Sequence, residues 1–111
     1  MFNRLRTWAN ERHIYNNDYD TRKHAGFISE ELTELLKAQT MSDEIDAYFD
    51  ICIFAMNAIE DAGYNLEKVF DEGFKEIESR KGTIVNGKFE KFKDEESKAK
   101  WYKANCRSAR Y

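Results

Sequence analysis

The sequence predicts an all-α protein, a four-helix-bundle type of fold carrying one small hairpin near its C-terminal end. Three observations lead there. Proline is absent and glycine occurs only five times in 111 residues, so little interrupts a helix. Apolar residues recur at helical spacing from Phe2 to about residue 80. Between Thr83 and Glu90 the period shortens to two around Asn86-Gly87, the pair that a type I′ turn favours.

Each element has its own signals. Phe2, Leu5, Trp8 and Ala9 give the first helix an apolar stripe, expected from Phe2 to His13. Tyr15 to Tyr19 (YNNDY) is rich in turn formers, and Asp20 or Thr21 can cap a second helix reaching about Ala38. Ser42 can cap a third, with Asp43 and Glu44 well placed in its first turn and Gly63 as its stop. Asn65 can cap a fourth helix from Leu66 to about Arg80, ended by Gly82. The hairpin register sets Ile84 opposite Phe89 as a small apolar lid. Asp94 can cap a last short helix, EESKAKWYKA.

Composition narrows the function classes. One domain spanning 1–111 is the expected organisation at this length. Charged residues make up 35%, and no apolar run reaches the roughly 20 residues of a membrane-spanning helix. The opening MFNRLRTWANER has no apolar stretch of a secretory signal, which points to the cytoplasm. With 18 basic and 21 acidic residues the net charge is -3, which argues against a general nucleic-acid coat and leaves room only for a local basic patch, such as the basic C-terminal stretch. Cys52, inside the apolar run IDAYFDICIFAM, reads as a small buried hydrophobe, and neither it nor Cys106 has a zinc spacing. Two Trp, six Tyr and eight Phe are a large apolar load for a small domain, and an oligomer would cover it.

Two acidic stripes carry the chemistry. On the second helix Ile28, Leu32, Leu35 and Leu36 define the core face. Glu31 lies about 40° from that stripe, Glu34 on the same flank, and Glu30 furthest away. From Ile45 to Ile59 of the third helix only Asp46, Asp50 and Asn57 are plainly polar, so that helix is expected to be buried all round. Those three fall within an arc of about 40°. Buried carboxylates need cations, and a hard divalent ion ligated by oxygen, above all Mg²⁺, suits Glu31, Glu34, Asp46 and Asp50. A di-iron bundle would need Glu-x-x-His pairs, and neither His13 nor His24 supplies one.

LRTWANERHI, FISEELTELLKA and DEIDAYFDICIFAMNAIEDAGYNLEKVFDE together resemble the MazG-like, all-α nucleotide pyrophosphohydrolases. That family's signature is EExxE on one helix and ExxD on the next, followed by a helix end of the type GxxL. Glu30-Glu31-Leu32-Thr33-Glu34 fits the first half, and Asp50 takes the place of the second-half Asp. The second-half Glu position is Ala47, and Asp46 stands one residue earlier, as in a variant associated with phage-borne and mobile-element members. The resemblance implies hydrolysis of a (deoxy)nucleoside triphosphate to monophosphate and pyrophosphate, with Mg²⁺ (or Mn²⁺) as cofactor. It also implies a homodimer or dimer of dimers and a house-cleaning role in the nucleotide pool.

Catalytic and metal-ligating roles then fall to Glu31, Glu34, Asp46 and Asp50. Candidate substrate contacts are Glu30, Asn57, Arg80, Lys81, Trp8, Lys100 and Lys103. For several of these a simpler role competes. Glu30 suits a solvated face, Trp8 a core aromatic, Asn57 a buried amide bonding a backbone group, and Arg80 and Lys81 the complement of a helix C-terminus. The basic stretch from Ser97 to Tyr111 reads either as a solvated tail or as a reach for phosphate. The rival to an enzyme is a non-catalytic helical oligomeric interaction module that has kept the fold, with Ala47 marking a decayed site.

Overall fold

The computed structural model describes residues 1–111. The chain is mostly helical with one two-stranded antiparallel sheet, and it forms two compact units: residues 1–66 with Tyr111, and residues 67–110.

The first unit holds α1 (Asn3–Glu11), α2 (Thr21–Lys37) and α3 (Met41–Asp61). Asp20 caps α2 by accepting the Arg22 N–H. Thr40, rather than the expected Ser42, caps α3 through the Asp43 N–H, so the helix starts two residues earlier with Asp43 and Glu44 still at its positive end. The far end is a Schellman motif. Gly63 takes φ +91°, its N–H reaches the Glu60 carbonyl, and the Tyr64 N–H reaches that of Ile59. α2 and α3, joined by residues 38–40, pack against each other.

The expectation that α3 is buried all round is overturned. Ala47, Asn57, Glu60 and Asp61 are its buried residues, whereas Ile45, Tyr48 and Phe49 (60% exposed) face solvent. Cys52 is exposed too, not a buried hydrophobe. Leu32 and Leu36 (80% exposed) on α2 and Met41 add to this uncovered apolar surface. A wheel drawn for one helix shows which residues avoid water and not which chain covers them.

The interior of this unit is unusually polar. Glu60 Oε2 pairs with the Arg6 guanidinium at 3.2 Å and accepts the Leu66 N–H at 2.9 Å. Its Oε1 accepts the Tyr111 hydroxyl at 2.6 Å, and the Tyr111 N–H donates to the Gly63 carbonyl at 3.0 Å. His24 Nε2 and Asp61 Oδ2 are 2.8 Å apart, both side chains buried. Such groups persist in a low-dielectric interior only when paired.

The second unit holds all but the first residue of α4 (Leu66–Glu78), then β1 (Gly82–Val85), β2 (Lys88–Lys91), α5 (Glu95–Ala99) and a 3-10 turn at Cys106–Ala109. Ile84 pairs with Phe89 as expected, and positive φ at Asn86 and Gly87 gives the I′ turn. Both Ile84 and Phe89 are exposed. Gly82 pairs with Lys91 so closely that a Cβ would sit 2.0 Å from the Glu90 carbonyl oxygen.

The last helix is shorter than its sequence suggested, because residues beyond it bond to α4 instead. The Tyr102 N–H donates to Ser79 Oγ at 2.8 Å, the Ala104 N–H to Glu76 Oε1 at 3.0 Å, and the Asn105 N–H to Glu72 Oε1 at 2.7 Å. This part of the basic stretch is therefore not a solvated tail. The Tyr102 hydroxyl also donates to Glu72, and these two bonds, followed by Lys75, hold the Glu72 carboxyl below its usual range.

A group so depressed stabilises the fold above its unfolded pKa of about 4.3. That contribution is lost as pH falls through the folded value. Tyr102→Phe removes the largest cause, so Glu72 should titrate higher by carboxyl-carbon NMR. The stability gap between parent and variant should then narrow on acidification below about pH 4. An unchanged Glu72 titration would show that the hydroxyl does not hold it.

Candidate functional site

Glu31 and Glu34 lie one helical turn apart on α2, and Asp46 and Asp50 one turn apart on α3. Because α2 packs on α3, all four line a single hollow of about 580 Å³, with Lys37, Gln39 and Asp43 also on its wall and the buried Ala47 among the lining residues. Both stripes thus meet as the sequence suggested, but not in the interior. Asp46 and Glu34 are exposed, and Glu31 and Asp50 are half-buried. The full cost of burying bare carboxylates therefore does not apply; mutual repulsion does.

That repulsion is visible at Glu31. Its carboxyl is pushed above the usual range by desolvation first, then by the charges of Asp50, Glu34, Asp46 and Glu30. A cation in the hollow would reverse the last four causes together. No group of three His, Cys, Asp or Glu side chains is gathered closely enough to hold a metal ion as it stands. The donor chemistry nevertheless fits Mg²⁺, which keeps several waters and takes one or two carboxylates plus substrate phosphates rather than a closed protein cage.

A second hollow of the same unit, about 890 Å³, is walled by α1, α2 and α3 and is mostly apolar. Trp8, Phe27, Phe49 and Phe54 supply aromatic surface, and Asn57, His24 and Arg4 are among its few polar members. Phe27 and Phe54 lie 5.2 Å apart. Trp8 is 41% exposed with the Arg12 guanidinium 5.0 Å over its ring, so it is not the core aromatic of the simpler reading. Asp50 lines both hollows.

Asn57 is buried, but its Oδ1 accepts the Tyr15 hydroxyl at 2.7 Å rather than a backbone group. Glu30 is exposed and lines neither hollow. Arg80, Lys81, Lys100 and Lys103 belong to the second unit. There Arg80 donates to the Glu76 and Tyr102 carbonyls and stacks over Trp101 at 5.0 Å, opposite duties to those of a free phosphate ligand. Lys100 approaches Glu96 at 4.0 Å, and Lys81 and Lys103 are exposed.

Sequence reasoning missed Tyr15, and it missed the buried Arg6–Glu60 and His24–Asp61 pairs. The signal was present: Glu60 and Asp61 continue the most apolar helix of the chain, where charges need partners. Which cation would meet which acid was not readable from spacing, since the partners lie 54 and 37 positions away.

No family model, no curated protein and no solved structure matches the chain.

Proposed function

We propose that the protein is a Mg²⁺-dependent pyrophosphohydrolase that splits a (deoxy)nucleoside triphosphate into monophosphate and pyrophosphate, with Mn²⁺ able to substitute. One observation carries this reading: Asp50 is shared by an acidic hollow suited to metal and phosphates and by an aromatic hollow suited to a nucleobase. A nucleotide has the same two chemistries joined end to end. The resemblance of the EELTE and DEIDAYFD stretches to the MazG-like enzymes supports the same reaction.

In this reading Glu31, Glu34, Asp46 and Asp50 hold the metal and orient the phosphates. When bound, the ion neutralises triphosphate charge and acidifies a water. A carboxylate of this set that is left off the ion is suited to accept the proton of the water attacking the α-phosphorus. The bond from that phosphorus to the bridging oxygen breaks, and pyrophosphate leaves. No nucleophilic side chain is needed; positioning and charge stabilisation suffice. Incubation with each nucleoside triphosphate and Mg²⁺, followed by phosphorus NMR, tests the reading. Release of orthophosphate in place of pyrophosphate would sink it.

The apolar surface of Leu32, Leu36, Met41, Ile45 and Tyr48 supports a homodimer or dimer of dimers as the working form. The same surface would also serve a non-catalytic helical module. Sedimentation at micromolar concentration should give a dimer or larger, and Ile45→Glu, which touches neither hollow, should give a monomer. A monomeric parent would rule out the assembly. No helix is long and apolar enough to cross a membrane.

A further inference from the structure

The aromatic hollow contains a buried amide whose oxygen is already engaged by a neighbouring hydroxyl. Asn57 is 4% exposed, and its Oδ1 accepts the Tyr15 hydroxyl at 2.7 Å. Burial, and then the charge of Glu60, push the Tyr15 phenol up to about 12, so it keeps its proton and remains a donor. With the oxygen engaged, the NH₂ group is the end of Asn57 left to meet a ligand. His24, the other buried polar member of the wall, is tied back to Asp61 at 2.8 Å.

A nucleobase seated among Trp8, Phe27 and Phe54 would bring one polar edge to that NH₂ group. Uracil, thymine and guanine carry a carbonyl at the 4 or 6 position. Cytosine and adenine carry an amino group there, which would set donor against donor. We propose that Asn57, locked by Tyr15, selects keto bases, so that the triphosphates of uridine, thymidine and guanosine are preferred over those of cytidine and adenosine. The inference rests on the nucleotide reading given above, but the selecting device is separate from the acidic hollow. A site built to bond one polar edge rejects the wrong one because its own group is left unpaired.

The test compares kcat/KM for the five triphosphates in the parent, Tyr15→Phe and Asn57→Asp. The parent should favour keto bases about tenfold or more. Tyr15→Phe should flatten the preference, because the freed amide can present either end. Asn57→Asp, which presents only acceptors, should turn it toward amino bases. Equal turnover of all five, an amino preference in the parent, or a keto preference unmoved by Tyr15→Phe overturns the proposal while leaving the hydrolase reading intact.

Nitrogen-15 NMR of the parent with uridine and with adenosine supplies the second readout, free of any reaction. Uridine should shift the Asn57 side-chain NH₂ signals, and adenosine at equal concentration should not. If no triphosphate is hydrolysed yet uridine gives that shift, the reaction is wrong and the base selection stands. If neither nucleoside moves the Asn57 signals, the selection is wrong whatever the enzyme hydrolyses.

Discussion

Asp50→Asn should lower pyrophosphate release by about 10²–10³-fold, the loss that follows removal of one charge-stabilising group from a preorganised site. Asp50 lines both hollows, so under the proposed function its loss would weaken the grip on phosphates beside the base. Asp46→Asn should act in the same direction, because Asp46 lies one turn away and borders the acidic hollow. Without metal, both variants should be at least as stable as the parent, since each removes a charge that raises the Glu31 pKa. With Mg²⁺ at about a hundred times its dissociation constant, the parent should gain about 2.7 kcal/mol by linkage, and the variants less. Thermal melts in EDTA and in Mg²⁺ check this. Full activity and an undiminished Mg²⁺ shift in Asp46→Asn would remove Asp46 from the ligand set.

Glu60→Ala should cost about 3–5 kcal/mol of folding stability, the range for breaking a buried ion pair on one side. The substitution strips three groups at once: the Arg6 guanidinium, the Leu66 N–H and the Tyr111 hydroxyl. Tyr111→Phe removes one of the three bonds to Glu60, together with the long 3.5 Å bond from Asn65 Nδ2, and should cost about 0.5–1.5 kcal/mol, or somewhat more because the Glu60 acceptor is charged. Urea denaturation of the two variants beside the parent measures both losses. A Glu60→Ala loss no larger than that of Tyr111→Phe would mean that Arg6 and Leu66 gain little from Glu60.

The local signals were legible and the long-range ones were not. Asn86-Gly87 and the flanking alternation place the hairpin and its register, and Gly63 places the end of α3, because turns with positive φ restrict residue choice strongly. The convergence of Glu31, Glu34, Asp46 and Asp50 was legible because a three-residue connection leaves two stripes little freedom to separate. Their exposure was not, since periodicity reports avoidance of water without naming what does the covering. Ser42 lost the capping role to Thr40 because either side chain can accept an N–H, and only the backbone decides which. The segment after α5 reads as helix from its composition, yet its N–H groups found Ser79, Glu76 and Glu72 instead.

The anchoring of Tyr111 bears on how the protein can be handled at the bench. A purification tag fused after Tyr111 starts beside a hydroxyl and an N–H that hold Glu60 and the Gly63 carbonyl. A tag before Met1 starts at a residue that lines the aromatic hollow. The turn at Asn86-Gly87 is exposed, and a Cβ on Gly87 would meet nothing within 4 Å, although its positive φ still favours glycine. An affinity epitope or a fluorophore-bearing insert placed between those two residues would leave both of the engaged chain ends untouched.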